Sequence, residues 1–513
     1  MADTPRVLRR ALLGLVAAVI GALSWTLRRP EAPKAAPTEA SGPSVSKGET
    51  LTRGLVFRSF KEGKAVFVLE ADTSIGKEET GFQLGGVKLT FRYTAQGKEG
   101  SADIVADECT YEPRLPRAVF RGGVVLRSED GFELRTESLT YRGDKSVAKT
   151  EDHAEFARKA FSGSSTGFVY DGERDELELP ADARVRIADE GQVPTEIRSG
   201  KAFFARTDGT LRFEGGVHVA QGEDTLRSER LLLSFDLETQ ALARAIAVDD
   251  VVLDTTGRQA MPGLAPAAGG GPRHLEARKV TLGFRSDRSI EEVIAQTDVD
   301  LVLLPGPGEP NERRRIRAGD HLILDSDEQG RITAVRGKAN RGEEGISLEV
   351  QPLARGGAVQ TVSCFRFEAR LDPESGEVRG AQFFENVVFT RGKQRATGRR
   401  ARYTGGDDPA LVLQGGPQVE DEHGRLTAQA IRLETSSGNV RAAGEVRHIL
   451  QTKGETLFSA KDAPTLLTSG KFSSSSRSRT ATYSEGALLR SGKDEVRAST
   501  IVVTEDASGR REL

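Results

Sequence analysis

Apolar side chains recur along this chain with a spacing that fits neither a continuous helix nor a continuous strand. In residues 426–433, LTAQAIRL, the apolar or small positions are the first, third, sixth and eighth. The same offsets of 0, 2, 5 and 7 are found in nine segments: Ile104, Ala106, Cys109, Tyr111; Leu134, Thr136, Leu139, Tyr141; Ile197, Ser199, Ala202, Phe204; Leu226, Ser228, Leu231, Leu233; Leu275, Ala277, Val280, Leu282; Ile316, Ala318, His321, Ile323; Ala396, Gly398, Ala401, Tyr403; Leu426, Ala428, Ile431, Leu433; and Val496, Ala498, Ile501, Val503. A pattern that returns so often predicts an array of structural repeats.

The offsets describe a strand whose alternation slips once. Two steps of two residues joined by a step of three are expected where a strand carries a bulge or bends at a corner between two sheets. The residues at the slip are mostly polar, as in Asp107-Glu108, Glu229-Arg230 and Arg399-Arg400. These side chains are expected to face water while the flanking ones face inward.

A second strand is predicted after each copy. It often begins with a valine preceded by Gly, Asp or Asn, as at Gly123-Val124, Gly216-Val217, Asp250-Val251, Asp298-Val299 and Asn386-Val387. In residues 210–222, TLRFEGGVHVAQG, apolar and polar residues alternate on both sides of Gly215-Gly216, which predicts two strands joined by a turn. Strands with one apolar and one polar face predict an antiparallel all-β fold.

Composition agrees with thin sheets and gives no sign of catalysis. Of 513 residues, 37% are hydrophobic and 6% aromatic, and the net charge of −3 does not favour binding to nucleic acid. Cys109 and Cys364 form neither a disulfide framework nor a zinc pattern, and the six histidines are dispersed. No sequence motif of a catalytic, metal or cofactor site is present. We therefore predict no enzyme activity, no metal and no cofactor.

The N-terminal segment predicts export. Residues 11–27 form an uncharged run between two arginine pairs, about 26 Å long as a helix, at the short end of what spans a bilayer. We favour a retained transmembrane anchor; a signal peptide cleaved near Ala22-Leu23-Ser24 is the alternative. Residues 30–49 form a Pro/Ala/Ser tether, and residues 255–273 form either an interdomain linker or a long hairpin loop. Residues 304–315 are predicted to be a hairpin loop and 469–480 a flexible loop.

A short anchor followed by these strand repeats resembles the lipopolysaccharide-export proteins LptC and LptA, which share the OstA-type domain with LptD. Residues 50–190 resemble LptC, and the run G-S-x-x-G-x-x-Y-D (Gly163, Ser164, Gly167, Tyr170, Asp171) resembles the end of that domain. Repeats such as LTAQAIRLETSSGNVRAAGEV resemble LptA. The chain thus resembles an LptC fused to LptA-like repeats. The predicted parts are a tail and anchor over 1–29, the tether over 30–49, an LptC-like domain over 50–190 and LptA-like repeats over 191–513, with a further division near 255–273 as one option.

The resemblance implies an open-sided jelly roll, the β-taco, whose groove shields acyl chains between an inner-membrane ABC transporter and the outer membrane. Small residues at the second offset would leave space in such a groove. The lipid-groove candidates are Ala106, Tyr111, Tyr141, Tyr170, Phe204, Phe213, Val219, Leu233, Leu282, Ile323, Tyr403, Ile431 and Leu433. The bulk of the chain would then be periplasmic, with lipopolysaccharide as its ligand.

The last copy of the pattern predicts a joint with a partner. Few residues follow Val496, Ala498, Ile501 and Val503, so the strand over 495–504 is expected to present an unmatched edge. The resemblance implies an LptA-like or LptD-like jelly roll as the partner at this edge and the transporter at the N-terminal edge around 51–69. Two other classes stay open: an exported β-solenoid scaffold or adhesin with a closed interior, and, ranked last, a carbohydrate-active enzyme on a parallel β-helix.

Overall fold

The computed structural model describes residues 50–505 and 511–512, except for 62–63, 78–80, 96–97, 113–116, 130, 143–146, 159–160, 172–173, 175, 189–192, 206–207, 237–241, 257–270, 287–288, 307–310, 330, 341–344, 355–356, 423 and 451–464. Every regular element in these residues is a β-strand, and every strand pair is antiparallel where its register is defined. The predicted all-β, antiparallel class is confirmed. Within this part of the chain no helix has the length and apolarity to cross a bilayer. The predicted anchor, residues 11–27, and the tether, residues 30–49, lie outside the described residues.

Two compact units divide between Asp249 and Asp250. The strands before this division are β1 Thr50–Lys61, β2 Lys64–Lys77, β3 Gly81–Ala95, β4 Lys98–Glu112, β5 Arg117–Ser128, β6 Glu133–Arg142, β7 Val147–Arg158, β8 Phe161–Asp171, β9 Glu176–Leu179, β10 Ala181–Ile187, β11 Thr195–Ser199, β12 Lys201–Ala205, β13 Thr210–Gln221 and β14 Asp224–Phe235. Strand β15, Leu242–Thr255, contains the division. Pairing within the first unit continues past residue 190, since β10 pairs with β11 and β9 with β12.

The second unit contains the remaining strands. They are β16 Arg273–Phe284, β17 Ile290–Gln296, β18 Val299–Leu303, β19 Glu312–Ala318, β20 His321–Ser326, β21 Ile332–Lys338, β22 Ile346–Pro352, β23 Gln360–Cys364, β24 Arg366–Leu371, β25 Val378–Arg391, β26 Gln394–Thr404, β27 Ala410–Gln414, β28 Gln418–Asp421, β29 Gly424–Thr427, β30 Ala430–Glu434, β31 Val440–Leu450, β32 Thr465–Ser475, β33 Thr480–Ser491, β34 Asp494–Glu505 and β35 Arg511–Glu512. The hairpin loop predicted over 304–315 is too long, because β18 ends at Leu303 and β19 already begins at Glu312. The predicted loop over 469–480 is wrong, because β32 runs through to Ser475 and only 476–479 form a turn.

Neighbouring strands bend at the same level, so the bends form a corner line through each unit. In the segment LTAQAIRL, β29 ends at Thr427 and β30 begins at Ala430. The next strand, β31, shifts register between Ala443 and Val446, and β33 shifts between Ser484 and Ala487. The slip in the sequence pattern therefore corresponds to a corner in the strand. The exposed slip residues predicted at Asp107-Glu108, Glu229-Arg230 and Arg399-Arg400 face outward.

Pairs of residues with positive φ make many of these corners. Gly215 and Gly216 have φ of 81° and 73° inside the continuous strand β13, whose two halves both pair with β14. The predicted turn at Gly215-Gly216 is therefore a bulge within one strand. The turn that joins β13 to β14 lies at Gly222-Glu223 instead. A glycine pair alone cannot distinguish a turn from a bulge, because both use the same backbone region.

Each corner divides a strand into two halves, which we call walls. In the second unit, wall 1 consists of the strand halves that contain Thr281, Ile294, Arg402, Arg432 and Thr482, and wall 2 of those that contain Asp300, Arg317, Thr397, Thr427 and Arg447. Inward side chains of both walls form the core. Among the most buried large side chains are Tyr141, Phe213 and Leu139 in the first unit and Phe367, Tyr483 and Leu322 in the second.

Candidate functional site

The lipid-groove candidates occupy one face of the bent strands, with one exception. Seven of them are buried: Ala106, Tyr141, Tyr170, Phe213, Val219, Ile431 and Leu433. Tyr111, Phe204, Leu233, Leu282 and Tyr403 are half-buried at positions farther from the corner along the same face. Their outward neighbours Arg212 and Arg402 are exposed. Alternation along each strand thus separates the two sets, as the sequence pattern predicts.

The exception is Ile323, for which the predicted inward position is wrong. Leu322 and Leu324 are buried, at 0% and 6% exposure, whereas Ile323 lies between them and faces outward. Leu322 is in register with Ala295, which is also fully buried. After Ala318 the corner between β19 and β20 takes one more residue than in the other copies. The side chains of β20 therefore face the opposite side of the sheet from the one that the sequence pattern predicts.

Serine side chains at the second offset donate hydrogen bonds to backbone carbonyl oxygens at the corner. The hydroxyls of Ser199, Ser228 and Ser469 donate to the carbonyl oxygens of Lys201, Arg230 and Lys471, at 2.8, 3.0 and 2.8 Å, two residues farther on. Each bond gives a partner to a carbonyl near the disrupted ladder. Ser165 makes the same bond to Gly167 at 2.7 Å. These serines are buried.

Alanine and glycine take this position in other copies. Ala106, Ala277 and Ala318 are buried there. At Gly398 an added Cβ would lie 3.2 Å from the carbonyl oxygen of Gln414 and 3.4 Å from that of Arg400. The space beside this glycine is therefore occupied by backbone. Small residues at the second offset are required by the crowded inner side of the corner, so they give no measure of how wide a groove is.

The motif G-S-x-x-G-x-x-Y-D has a structural reason at each glycine. An added Cβ at Gly163 would meet the ring of Phe156 at 2.3 Å, since this ring covers the glycine and stacks on Phe161 with 5.5 Å between centroids. Gly167 has φ of 83° at the bend of β8, where an added Cβ would meet Pro180 at 2.7 Å. Tyr170 is buried at 2% exposure. The motif shapes the bend and the inner face of β8.

The inner faces of the two walls meet inside the corner of the second unit. His448 belongs to wall 2, whereas Phe472 and Tyr483 belong to wall 1. The Nδ1 atom of His448 lies 2.6 Å from the hydroxyl oxygen of Tyr483, a hydrogen bond that crosses between the walls. The ring of His448 also packs edge-on against Phe472, with 5.4 Å between centroids. We call these three side chains the inner bridge. Sequence reasoning missed it because the three residues lie on three strands.

Ion pairs follow the outer side of the corner. Arg230 pairs with Asp249 at 2.7 Å, Arg278 with Asp298 at 3.2 Å and Lys471 with Glu485 at 2.5 Å. Exposed pairs of this kind contribute only about 0–1 kcal/mol each. Beside the corner, hydrogen bonds from Arg315 hold the pKa of Asp300 below its usual range. Polar slip residues thus form an outer seam of charges opposite the apolar inner face.

The two cysteines are buried and inert. Burial raises the pKa of the thiols of Cys109 and Cys364 to about 12. A protonated thiol is a poor nucleophile and a poor metal ligand. In the described ranges no group of three His, Cys, Asp or Glu side chains is placed to hold a metal ion. Both cysteines serve as small core residues, in agreement with the prediction from their isolation in the sequence.

The edge-pairing candidates lie on β34. Ile501 and Val503 are buried, and Val496 and Ala498 are half-buried. Within the described residues β34 has β33 on one side, while the other side is covered only at Thr504 and Glu505, by β35. Over the same part of the chain β1 pairs only with β2. Both β1 and β34 therefore have an edge that the other described strands leave largely open.

Comparison with known families is informative for the N-terminal part of the chain. Residues 13–188 match the family model described as "Lipopolysaccharide-assembly, LptC-related". No curated protein matches the chain. The match confirms the LptC resemblance and includes most of the apolar run 11–27, whereas the LptA-like nature of residues 191–513 stays a prediction. By this match, residues 13–188 are similar to LptC-related proteins.

Proposed function

We propose that the protein is a membrane-anchored component of lipopolysaccharide transport, whose bent strands form an open jelly roll that shields acyl chains. The main support is that apolar side chains from both walls face one interior while the polar ones face water. The LptC-related match of residues 13–188 supports the lipopolysaccharide class of ligand. Each acyl CH₂ removed from water would contribute about 0.8 kcal/mol. The acyl chains of one lipopolysaccharide molecule contain tens of methylene groups, which must be shielded from water during transport across the periplasm.

Photo-crosslinking tests the groove. A crosslinking side chain at Phe213, Val219, Ile431 or Leu433 should capture lipopolysaccharide in cells, whereas one at Arg212, His218 or Arg432 should not. Neighbouring residues of a strand point to opposite faces, so each pair is a matched control. Equal capture on both faces would contradict the proposal.

A sharper control uses two apolar neighbours. Leu322 faces inward and Ile323 outward. Capture at Leu322 but not at Ile323 would show that lipid binds in an inner groove and does not associate non-specifically with any apolar residue. The reverse result would contradict both the register of β20 and the groove on this strand.

We further propose that residues 11–27 anchor the chain in the inner membrane and that the remainder is periplasmic. The LptC-related match begins at residue 13, inside the apolar run, which supports this arrangement. Recovery of a soluble mature protein that starts near Trp25 would favour the cleaved signal peptide instead.

The open edge of β34 would extend the groove into an LptA-like or LptD-like jelly roll, and the edge of β1 would face the transporter. Successive residues of an edge strand point their N–H groups to opposite sides, so proline at Ile501 and proline at Val502 affect different edges. One of these variants should lose partner pull-down while keeping the stability of the natural chain. If both variants keep the partner and the fold, β34 is not the joint.

The inner bridge favours a second candidate, a scaffold with a closed interior. His448, Phe472 and Tyr483 fill the space between the walls at their level in the second unit. A closed interior would leave no room for lipid there. Mass spectrometry of lipid that copurifies with the chain distinguishes the two candidates, because only an open groove retains lipopolysaccharide through purification.

A further inference from the structure

The outer face of wall 1 carries a band of positive charge. Two neighbouring rows of residues, in register from β16 to β34, define this basic band: Lys279, Gln296, His321, Lys338, Arg366, Phe384, Arg400, Gln414, Ala430, Ala443, Lys471, Ser484, Thr500, and Thr281, Ile294, Ile323, Arg336, Glu368, Gln382, Arg402, Val412, Arg432, Arg441, Ser473, Thr482, Val502. Nine of these residues are Lys or Arg and one, Glu368, is acidic. The chain as a whole has a net charge of −3. The band is therefore a local concentration of one sign.

In the centre of the band the cations outnumber the single carboxylate, Glu368, which lies in register with Arg336. Arg336, Arg432, Arg441 and Lys471 pair with carboxylates at its borders. In the part of the chain that the structure describes, Lys338, Arg366, Arg400 and Arg402 form no ion pair. Lys338 is directly opposite Arg366 in the ladder, an arrangement of like charges that destabilises a sheet. An external anion would relieve this repulsion.

An aromatic side chain lies among these cations. Phe384 is half-buried between Arg366 and Arg400 in the row, and the guanidinium carbon of Arg366 is 4.2 Å from the centre of its ring. This cation–π contact places the guanidinium over the ring. Lys338, Arg366, Phe384 and Arg400 lie on four adjacent strands, so the row covers about 14 Å at the usual strand spacing. Together they form a platform with charge and an apolar surface.

Farther along, the band contains a depression. Small outward residues, Ala430, Ala443, Ser473 and Ser484, leave a space of about 330 Å³ bordered by Arg432, Arg441 and Lys471. The volume is at the lower end of the range for small-ligand sites. A ligand that lay along the band would find an additional basic hollow here.

The matching rows of wall 2 show that this charge is not a general property of the outer surface. They contain five carboxylates, Glu276, Asp300, Glu349, Glu420 and Glu495, among seven arginines. Arg315 pairs with Asp300, Arg425 with Glu420 at 3.0 Å and Arg490 with Glu495 at 2.8 Å. Cross-strand pairing neutralises wall 2 and leaves wall 1 basic.

The borders of the band restrict the shape of its ligand. Glu292 and Asp325 lie along one border, and Asp298, Asp320 and Glu485 at the corner along the other. A planar anionic membrane would meet these carboxylates as well as the band. A peptide that adds to a sheet needs a free strand edge, and an acidic peptide held on a face by its side chains alone would lack those backbone hydrogen bonds. A linear polyanion can follow a band two residues wide without touching either border.

We propose that the basic band binds an acidic polysaccharide, a linear glycan with carboxylate or phosphate groups. The unpaired cations bind its anionic groups, and the part of the Phe384 ring that Arg366 leaves exposed contacts the apolar face of a sugar ring. Thirteen aligned strand segments give the band a length of about 58 Å. This surface lies on the opposite side of the sheet from the proposed lipid groove, so the two can be tested separately.

Binding of polygalacturonate oligosaccharides to the full chain in a neutral detergent tests the proposal. The natural chain should bind at low salt and release the glycan as salt rises, because exposed charges are screened. The double variant R400E/R402E should bind at least about tenfold more weakly, since reversed charges add repulsion to the lost contacts. The variant R317E/R447E changes the net charge equally on wall 2 and should bind as the natural chain does. Hydrogen exchange of β19, β26 and β31, the strands that carry the substitutions, checks that both variants remain folded.

Other probes separate the alternatives. Neutral dextran should not bind, and Phe384→Ala should weaken polygalacturonate binding more than binding of poly-glutamate. No binding of polygalacturonate at low salt would overturn the proposal, as would equal losses in the two double variants. Tighter binding of poly-glutamate would overturn it in favour of an acidic peptide, and tighter binding of anionic phosphatidylglycerol vesicles would overturn it in favour of a membrane.

Discussion

The two units make the same kind of corner, but the second unit has a glycine pair at only some of its described corners, such as Gly415-Gly416. In the first unit, glycine pairs supply the two positive φ angles, as at Gly122-Gly123 with 79° and 57°. In the second unit, Thr297-Asp298 and Glu385-Asn386 adopt φ between 51° and 62°. Glycine enters this region freely, whereas a β-branched threonine there is strained. The backbone conformation is therefore imposed by strand pairing and core packing, and local preference only lowers its cost.

The largest effects are expected in the core. Although the corners differ, core side chains should contribute equally to the stability of both units. Phe213 and Phe367 are each 1% exposed. Phe213→Ala and Phe367→Ala should each lower the free energy of unfolding of their own unit by about 3–5 kcal/mol. Urea unfolding followed by hydrogen exchange of β13 and β25 measures each loss. Phe203→Ala, at a half-buried outward position, is the control and should cost much less; a small loss at either core site would show that the two interiors are not equivalent.

Alanine substitutions at a glycine corner should separate the cost of steric overlap from the cost of a positive φ angle. An added Cβ at Gly122 would lie 2.7 Å from Cβ of Asp107, whereas one at Gly123 would meet nothing within 4 Å. Gly123→Ala should cost about 1 kcal/mol for the positive φ alone. Gly122→Ala should cost about 2–3 kcal/mol, because the neighbouring strand must also move. Equal losses in chemical denaturation would mean that the backbone adjusts without strain.

Replacing a corner residue by glycine in the second unit should change stability in the opposite direction, because it relieves strain. Thr297 has φ of 61°, and its hydrogen bonds to other described residues use its backbone N–H and carbonyl oxygen. Thr297→Gly should stabilise the second unit by about 1 kcal/mol through relief of strain. Asn386→Gly should be nearly neutral, since asparagine tolerates this region. A loss of stability in Thr297→Gly, measured by the same denaturation, would show that the threonine side chain contributes to the corner.

The smallest expected difference is electrostatic and lies in the second unit. Nδ1 of His274 is 2.6 Å from Asp254 and Nε2 is 3.0 Å from Glu276, and the bond to Asp254 is the main reason for a raised pKa of His274. A raised pKa adds stability below the unfolded value of about 6.5, and this stability is lost as the pH rises through the folded value. Because the ring is 40% exposed, the effect should stay under about 1 kcal/mol.

The variant His274→Gln tests this pH dependence. The natural chain should lose stability as the pH rises above the unfolded value of about 6.5, so it should be less stable at about pH 9 than at about pH 6, and the variant should lose less between these two pH values. Thermal unfolding of both chains at the two pH values measures the difference. Identical slopes would mean that solvent screens the two ion pairs completely.

The sequence by itself determined the β class, most of the inward faces and the positions at which the alternation slips. Alternation and its slip are properties of one strand, so they can be read without knowing any partner. Tyr141, Phe213 and Ile431 were placed correctly on this basis. The LptC resemblance likewise depends on motifs that are continuous in the chain.

Tertiary structure decided the features that depend on pairing with a neighbouring strand, namely bulges, register and contacts between distant residues. The pairing of both halves of β13 with β14 makes Gly215-Gly216 a bulge, and an added residue in one corner turns Leu322 inward instead of Ile323. The inner bridge between His448 and Tyr483 and the basic band on wall 1 join residues that are far apart in sequence. Register between strands is a long-range property, and a shift of one residue moves every following side chain to the opposite face.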